Sequence, residues 1–305
     1  MEEPFLFDSS GAGIVGRLHR PIGETRGAIV LTGPLTSVKE QAVGAYAKAL
    51  AERGYTALAF DHRYFGESAG EPRQFEKPGA KIEDIAAAAK AVQSDARTHG
   101  LPLFAVGVCA GAGYMSRAVS VGNGFRAFAG VAGYYAAADD LSVAAAQPAM
   151  LRAKGAEQRW QTTGQAEMIP AVAPNNGDVA MPLREAYEYY GTDRGAVPNY
   201  VNAYAVQSMA YTIPFNAVDA ARDIAIPTLM VHSEKALAPP LARRFFAALA
   251  GPREELWLQS KGQIDFYDDP VLIAKCADAI VNWFGRYGCF ADSTGSAAPR
   301  KSRLP

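Results

Sequence analysis

Short β-rich apolar runs alternate with longer amphipathic stretches along most of the chain, and this pattern constrains the fold more than any other feature. Each run has the length of a strand, and each stretch repeats apolar residues at the spacing of a helix. Such alternation predicts a mostly parallel, doubly wound α/β sheet covered by helices. Strands are predicted at 28–31, 56–60, 103–106, 127–131, 228–231 and 255–258, and helices at 38–53, 82–96, 110–119, 240–249 and 270–284.

Two of these helices carry recognisable start signals. Ser37 and Glu40 have the spacing of a capping box, which predicts that the first helix begins beside them. Asp269 precedes Pro270, an N-cap residue followed by a proline in the first turn, which predicts the start of the last helix.

One long segment, residues 136–222, breaks the alternation because it contains no convincing strand. A connection of this length between two core strands is too long for a simple loop, so we interpret it as an inserted helical cap or lid. The predicted domains are a core of residues 1–135 and 223–288, a cap of residues 136–222, and a disordered tail of residues 289–305.

Aromatic side chains are concentrated in the predicted cap. They are typical either of a lid over an apolar pocket or of an ordinary core, and both interpretations stay open at this stage. If they line a pocket, the substrate carries a bulky apolar or aromatic group. The predicted substrate-binding residues are then Tyr114, Trp160, Tyr204 and Tyr211.

Composition and charge exclude several other classes of protein. The 305 residues carry 30 Lys and Arg against 31 Asp and Glu, which gives no basic footprint for nucleic acid. No stretch approaches the roughly 20 apolar residues of a membrane span, and no signal peptide is evident. Three cysteines are an odd number that disfavours a disulfide framework. We expect a cytoplasmic protein without nucleic-acid or membrane partners, and leave a homodimer open.

A nucleophile motif lies between the third predicted strand and the helix that follows it. Residues 107–111 read Gly-Val-Cys-Ala-Gly, and this context favours the sharp, strained turn of a G-x-S-x-G motif, with Cys109 in place of serine. Gly107 and Gly111 fit a turn in which strand and helix pass closely. We expect the turn to push Cys109 toward solvent and the helix N-terminus to lower the pKa of its thiol. The alternative is a buried cysteine that acts as a small hydrophobe.

This chain resembles the α/β-hydrolase superfamily, and its cysteine elbow is similar to that of dienelactone hydrolases. It resembles more closely a group of uncharacterised bacterial α/β-hydrolases with Gln in place of the catalytic His. That resemblance rests on Val-Lys-Glu-Gln at 38–41, Phe-Asp-His-Arg-Tyr-Phe-Gly-Glu-Ser at 60–68 and Gln-Ile-Asp-Phe-Tyr-Asp at 263–268. It implies the α/β-hydrolase fold, with a helical lid insertion.

The resemblance implies an oxyanion hole but not a complete triad. One N–H donor should come from Ala110, and the second from the loop after the first predicted parallel strand, where Pro34 has no N–H and Leu35 becomes the candidate. The expected histidine position holds Gln263, and glutamine takes no proton near neutral pH. The usual acid position falls at Ala236.

Three other side chains are candidates to replace the missing histidine and acid. His62 and His232 each end a core strand at the edge where open α/β sheets bind ligands, and each is either a general base or a structural histidine. Glu234 either replaces the acid or pairs with Lys235 in solvent.

A cysteine can act as a nucleophile without the histidine, because a thiolate forms near neutral pH and is intrinsically nucleophilic. The leading hypothesis is therefore a thiol-dependent hydrolase of an activated ester, lactone or thioester. A non-hydrolytic acyltransferase, lyase or cyclase is the second, and an inactive small-molecule-binding relative is the third. No metal or organic cofactor is implied, since the acidic cluster at 265–269 is typical of helix capping.

Overall fold

The computed structural model describes residues 1–139, 142–175 and 177–288. The predicted tail, 289–305, lies outside them. The strands are β1 (Glu2–Ser9), β2 (Ala12–His19), β3 (Ala28–Thr32), β4 (Thr56–Phe60), β5 (Leu103–Val108), β6 (Phe128–Val131), β7 (Met168–Ile169), β8 (Tyr204–Ala205), β9 (Thr228–His232) and β10 (Arg253–Trp257).

The helices surround these strands. They are α1 (Ala42–Ala51), α2 (Pro78–Ser94), α3 (Ala110–Ser120), α4 (Val143–Thr163), α5 (Arg184–Tyr190), α6 (Met209–Thr212), α7 (Pro239–Ala248), α8 (Asp265–Asp268) and α9 (Pro270–Gly285), with 3₁₀ turns at Val206–Ser208 and Val218–Asp223. In the part of the chain that the structure describes, every helix falls short of the length and apolarity that a bilayer crossing needs.

One eight-stranded sheet forms the core, in the order β1-β2-β4-β3-β5-β6-β9-β10. The β1–β2 and β2–β4 pairs are antiparallel, and the remaining pairs are parallel. Every residue of β3, β4, β5, β6 and β9 is buried, as expected when helices cover both faces of a parallel sheet. At one edge, β10 exposes charged residues, which discourage pairing with another chain. This is the α/β-hydrolase architecture.

The six predicted core strands are confirmed, with small shifts at their ends. Asp269 is confirmed as an N-cap, because its side chain accepts hydrogen bonds from the N–H groups of Val271 and Leu272. The capping box predicted for the first helix is wrong. Ser37 donates to the carbonyl of Pro34 and Glu40 pairs with Lys39, so α1 begins only at Ala42.

The segment 136–222 connects β6 to β9 and contains α4, α5 and α6, but it is not free of strands as the sequence predicted. It contains β7 and β8, two residues each, which pair antiparallel and form a sheet apart from the core. These strands are too short for the alternation of apolar and polar residues to mark them in the sequence.

The order of the strands creates a crevice beside β3. The chain moves from β3 to β4 on one side and then from β4 to β5 on the other, so right-handed crossovers place α1 and α2 on opposite faces of the sheet. Ligands of open α/β sheets bind where the order reverses, at the carboxyl ends of the strands. The loops that follow Thr32 and Val108 converge at this point.

A buried ionic network ties together the loops that follow β3 and β4. The side chain of Lys39 has no exposed surface, and its Nζ lies 2.7 Å from Oδ2 of Asp61, 2.6 Å from Glu67 and 2.8 Å from Glu40. Asp61 also accepts hydrogen bonds from the backbone N–H of Lys39 and of Glu67. Burial by itself lowers the pKa of Lys39, but the three carboxylates outweigh it and raise the pKa.

Asp61→Asn is expected to lower the free energy of unfolding by about 3–5 kcal/mol, because the ammonium of Lys39 stays buried with one carboxylate fewer. Glu67→Gln is the matched control. Its side chain is 42% exposed, so water replaces the lost contact and a loss of about 1 kcal/mol or less is expected. Urea unfolding measures both values, and equal losses would contradict a dominant contribution from the Lys39–Asp61 pair.

Candidate active site

Cys109 lies on a strained turn between β5 and α3. Its backbone has φ 55° and ψ −125°, a conformation that a residue with a side chain rarely adopts. The turn is tight because two glycines flank it. A Cβ on Gly107 would lie 2.4 Å from Cα of Ala112, and one on Gly111 would lie 2.4 Å from the carbonyl oxygen of Thr32. The predicted need for glycine at both positions is confirmed.

The turn faces a cavity of about 410 Å³ between the core and the segment 136–222. The expectation that the turn pushes Cys109 toward solvent is wrong, because only 7% of the residue is exposed. Most of the lining is aliphatic or aromatic, and no lysine, arginine or histidine belongs to it among the described residues. Cys109 therefore lies in a largely apolar space.

Three polar groups favour the thiolate form of Cys109: the hydroxyl of Tyr267, the backbone N–H of Ala110 and the side chain of Gln263. Burial raises the pKa of the Cys109 thiol, and although these donors favour the thiolate they do not cancel the rise. The negative charge of Glu185 adds to it. The prediction that the helix N-terminus lowers this pKa is therefore wrong, because desolvation dominates.

Both polar atoms of the Gln263 side chain form hydrogen bonds beside Cys109. Its Oε1 accepts a hydrogen bond from the N–H of Leu237 at 2.8 Å, and its Nε2 donates to the carbonyl oxygen of Ala132 at 2.9 Å. Because one neighbour is a donor and the other an acceptor, the orientation of the amide is fixed. Ala236, at the usual acid position, is buried next to Leu237. A backbone N–H thus takes the place of a carboxylate partner.

The two predicted oxyanion donors lie together at the cavity. Ala110 and Leu35 both line it. Within the described residues, no hydrogen bond uses the N–H of Leu35. The N–H of Thr36, the next residue, donates to a fully buried carboxylate, Glu76, at 3.1 Å. That contact holds the loop in place while the Leu35 N–H stays unpaired.

Glu76 was not identified from the sequence, yet it organises one wall of the cavity. Besides Thr36, it accepts a hydrogen bond from the hydroxyl of Tyr114 at 2.8 Å and lies 2.6 Å from Nζ of Lys81. Both charged side chains are buried. The pair therefore fixes the ring of Tyr114 at the cavity surface.

Neither predicted histidine lines the cavity. The ring of His62 is buried between the hydroxyl of Thr32 at 2.7 Å and the carboxylate of Asp84 at 3.3 Å. The ring of His232 is buried against the carbonyl oxygens of Ser233 and Gly133. Both are structural histidines, so the expectation that either approaches Cys109 is corrected. The sequence places them at the right strand ends, but their rings point away from the crevice.

Glu234 also lies elsewhere. Its side chain is 62% exposed and pairs with Arg243, not with Lys235. It is therefore not a replacement for the missing acid of the triad.

The four predicted substrate-binding aromatics divide into two pairs. Tyr114 and Tyr204 line the cavity. Trp160 lies on α4 away from it, and Tyr211 packs against Phe75 with its hydroxyl bonded to Glu157. The predicted roles of Trp160 and Tyr211 in substrate binding are therefore wrong, because neither residue lines the cavity that contains Cys109.

Two polar residues of the cavity were missed by the sequence analysis. Tyr267 lies within the motif at 263–268, which carried the resemblance but gave this residue no role. Glu185 lies in the first turn of α5, in the segment 136–222, where no local motif marks it. Its half-buried carboxylate accepts hydrogen bonds from the N–H groups of Gln263 and Ile264, the latter at 3.4 Å.

No metal-binding cluster is present in the ranges 1–139, 142–175 and 177–288, where no three His, Cys, Asp or Glu side chains come together suitably. In the acidic stretch near Gln263, Asp269 caps α9 and Asp268 pairs with Arg194. Asp265 accepts a hydrogen bond from the N–H of Lys261.

Residues 23–258 match the family described as serine aminopeptidase, S33, a hydrolase family with this fold. The match covers more than half of the chain. The chain belongs to the S33 family. The family description refers to serine, whereas this S33 member carries Cys109 at its elbow.

Two bacterial proteins support this assignment. The uncharacterized protein PA2218 of Pseudomonas aeruginosa is 30% identical over 257 residues, which cover 81% of this chain and 69% of the relative. Its crystal structure superimposes with a TM-score of 0.83 over 94% of each chain, at 26% identity. The uncharacterized protein YcjY of Escherichia coli K12 is 27% identical over 267 residues, 84% of this chain and 87% of the relative.

A second solved structure, less similar in sequence than PA2218, has the same fold as this S33 member. The structure of DcsB, in complex with its substrate analogue, superimposes with a TM-score of 0.82. It covers 94% of this chain and 99% of that protein at 19% identity. The likeness concerns the fold alone.

Tyr267→Phe is expected to slow the alkylation of Cys109 by iodoacetamide at pH 8 by about tenfold or more, because it removes a hydrogen bond to the thiolate and raises the thiol pKa further. Peptide mass spectrometry follows Cys109 separately from the other cysteines. Tyr287→Phe is the control, since this ring packs on Trp283 and is not part of the cavity lining. An unchanged rate in Tyr267→Phe would contradict the contact.

Proposed function

We propose that this protein is a thiol-dependent hydrolase that cleaves an activated ester, lactone or thioester through an acyl-enzyme on Cys109. One observation carries the proposal: Cys109 lies at a strained elbow and lines a cavity together with Ala110 and Leu35, whose N–H groups would be the oxyanion donors. A nucleophile beside two backbone donors is the arrangement that acyl transfer requires.

In this mechanism Sγ of Cys109 attacks the carbonyl carbon of the substrate. The negative charge that develops on the carbonyl oxygen is stabilised by the N–H groups of Ala110 and Leu35. The bond to the leaving alcohol or thiol then breaks, which leaves a thioester on Cys109. Attack of water on that thioester releases the acid and restores the thiol.

The cavity supports an uncharged, apolar acyl group as substrate. Its lining offers Tyr114 and Tyr204 as aromatic contacts, and among its described residues there is no cation that would pair with an anionic substrate. Glu185, the carboxylate in the lining, would repel an anion further. In this proposal the segment 136–222 acts as the lid that encloses the acyl group.

Gln263 favours a second candidate, acyl transfer to an acceptor other than water. Its Oε1 is occupied by the N–H of Leu237, so it offers no acceptor that would activate a water molecule. Product analysis separates the two functions, since free acid indicates hydrolysis and an ester or amide of the added acceptor indicates transfer.

Cys109→Ala is expected to lower turnover of aryl esters and acyl thioesters by at least about a thousandfold, because no other group in the cavity forms the acyl-enzyme. Cys276→Ala is the matched control. Cys276 is also a buried cysteine, but it lies on α9 outside the cavity, and its removal is expected to leave turnover unchanged. Product release and intact mass are followed together.

Turnover that persists in Cys109→Ala would refute the proposal. An acyl adduct on the wild-type protein that is absent from Cys109→Ala would support it. The lack of any adduct and of any turnover, across esters, lactones and thioesters, would favour the inactive small-molecule-binding relative instead.

A further inference from the structure

Glu185 is held against the loop that carries Gln263. The carboxylate accepts hydrogen bonds from the N–H groups of Gln263 and Ile264. Gly262 leaves room for it, because a Cβ at that position would lie 2.1 Å from Oε2 of Glu185. The segment 136–222 thus places the carboxylate of Glu185 next to Gln263, the residue at the position where a histidine is expected.

Glu185 is also the sole base at neutral pH among the described residues of the cavity lining. The other titratable groups there are the thiol of Cys109 and the phenols of five tyrosines, which are protonated near pH 7. Gln263 and Tyr267 meet the sulfur as donors, and neither takes a proton from it. A reaction that starts from a protonated thiol therefore has one acceptor within the cavity.

We propose that Glu185 is the general base of this site and takes over the proton transfers of the missing histidine. The proposal rests on the proposed acyl-transfer function of Cys109. It assigns a catalytic residue to the segment 136–222.

The proton balance closes with this one carboxylate. In the first step the thiol proton of Cys109 passes to Glu185, directly or through one water, as the bond from Sγ to the acyl carbon forms. The leaving alkoxide or thiolate takes that proton when its bond to the acyl carbon breaks. In the second step Glu185 takes a proton from a water molecule as the oxygen of that water attacks the thioester. Glu185 then returns the proton to the sulfur of Cys109 as the bond from sulfur to the acyl carbon breaks.

The environment of Glu185 suits this role. Burial raises the pKa of its carboxyl, and the nearby charges of Asp265 and Glu188 act in the same direction. The two backbone hydrogen bonds oppose the rise without cancelling it. A carboxylate with a raised pKa is a stronger base and accepts a proton from a thiol or from water more readily.

Glu185→Gln tests the proposal, because it keeps the shape of the side chain and removes its charge. With an acyl thioester as substrate, hydrolysis is expected to fall about 10²- to 10⁴-fold, because both the formation and the hydrolysis of the thioester on Cys109 lose their base. Glu188→Gln is the matched control on the same helix. Glu188 is exposed, pairs with Arg184 and does not line the cavity, so its loss is expected to keep most of the hydrolysis rate and only to move the acid limb to slightly lower pH, because its charge no longer raises the pKa of Glu185.

The pH profile gives a readout that a structural role would not move. In the wild-type protein the rate should fall as the pH drops through the raised pKa of Glu185, because the protonated carboxyl is no longer a base. This acid limb should disappear in Glu185→Gln. Glu185→Asp, which keeps the charge on a shorter side chain, should retain the limb at a reduced rate, and its retention separates loss of the base from loss of folding.

Adduct formation on Cys109 distinguishes failure of the role of Glu185 from failure of the function of Cys109. If the wild-type protein forms an adduct on Cys109 and Glu185→Gln releases it at the wild-type rate, Glu185 is not the base, while the function of Cys109 stands. If the wild-type protein forms no adduct on Cys109 with any acyl donor, the proposed function itself is overturned, and the role of Glu185 with it.

Discussion

The close approach of two backbone segments is the constraint on which the rest of the site depends. The elbow that follows β5 touches the loop that follows β3, and Gly111 allows this because its missing Cβ would lie 2.4 Å from a carbonyl oxygen of that loop. Any side chain there would force the loops apart. Only at this separation do the sulfur of Cys109 and the N–H groups of Ala110 and Leu35 line one cavity.

Burial decides the chemistry of the thiol at this point. The helix N-terminus and three hydrogen-bond donors favour the thiolate, but enclosure in an apolar cavity raises the pKa of Cys109. The resting site therefore holds a protonated thiol beside groups that stabilise the anion once it forms. None of those groups accepts the proton, and the acceptor that we propose is Glu185, in the segment 136–222.

Much of the core was predictable because the parallel strands are buried on both faces and read as continuous apolar runs. The helix that begins beside Asp269 was also predictable, since its N-cap signal is local. Residue-level errors arose where a partner distant in sequence decided the outcome. Lys39 engages Glu40 and removes it from the predicted capping box. His62 is held by Thr32 and Asp84, and His232 by backbone carbonyl groups, so neither lines the cavity.

The sequence by itself determined the order of the six predicted core strands and of the five helices predicted between and after them, and it located the Gly-Val-Cys-Ala-Gly turn, because each is written in contiguous residues. Only the tertiary structure decided that Cys109 is buried, that Tyr267 favours its thiolate, and that Glu185 from the segment 136–222 lines the same cavity. The physical reason is that pKa values and proton acceptors depend on desolvation and on charges that distant segments bring together, and no local pattern records either.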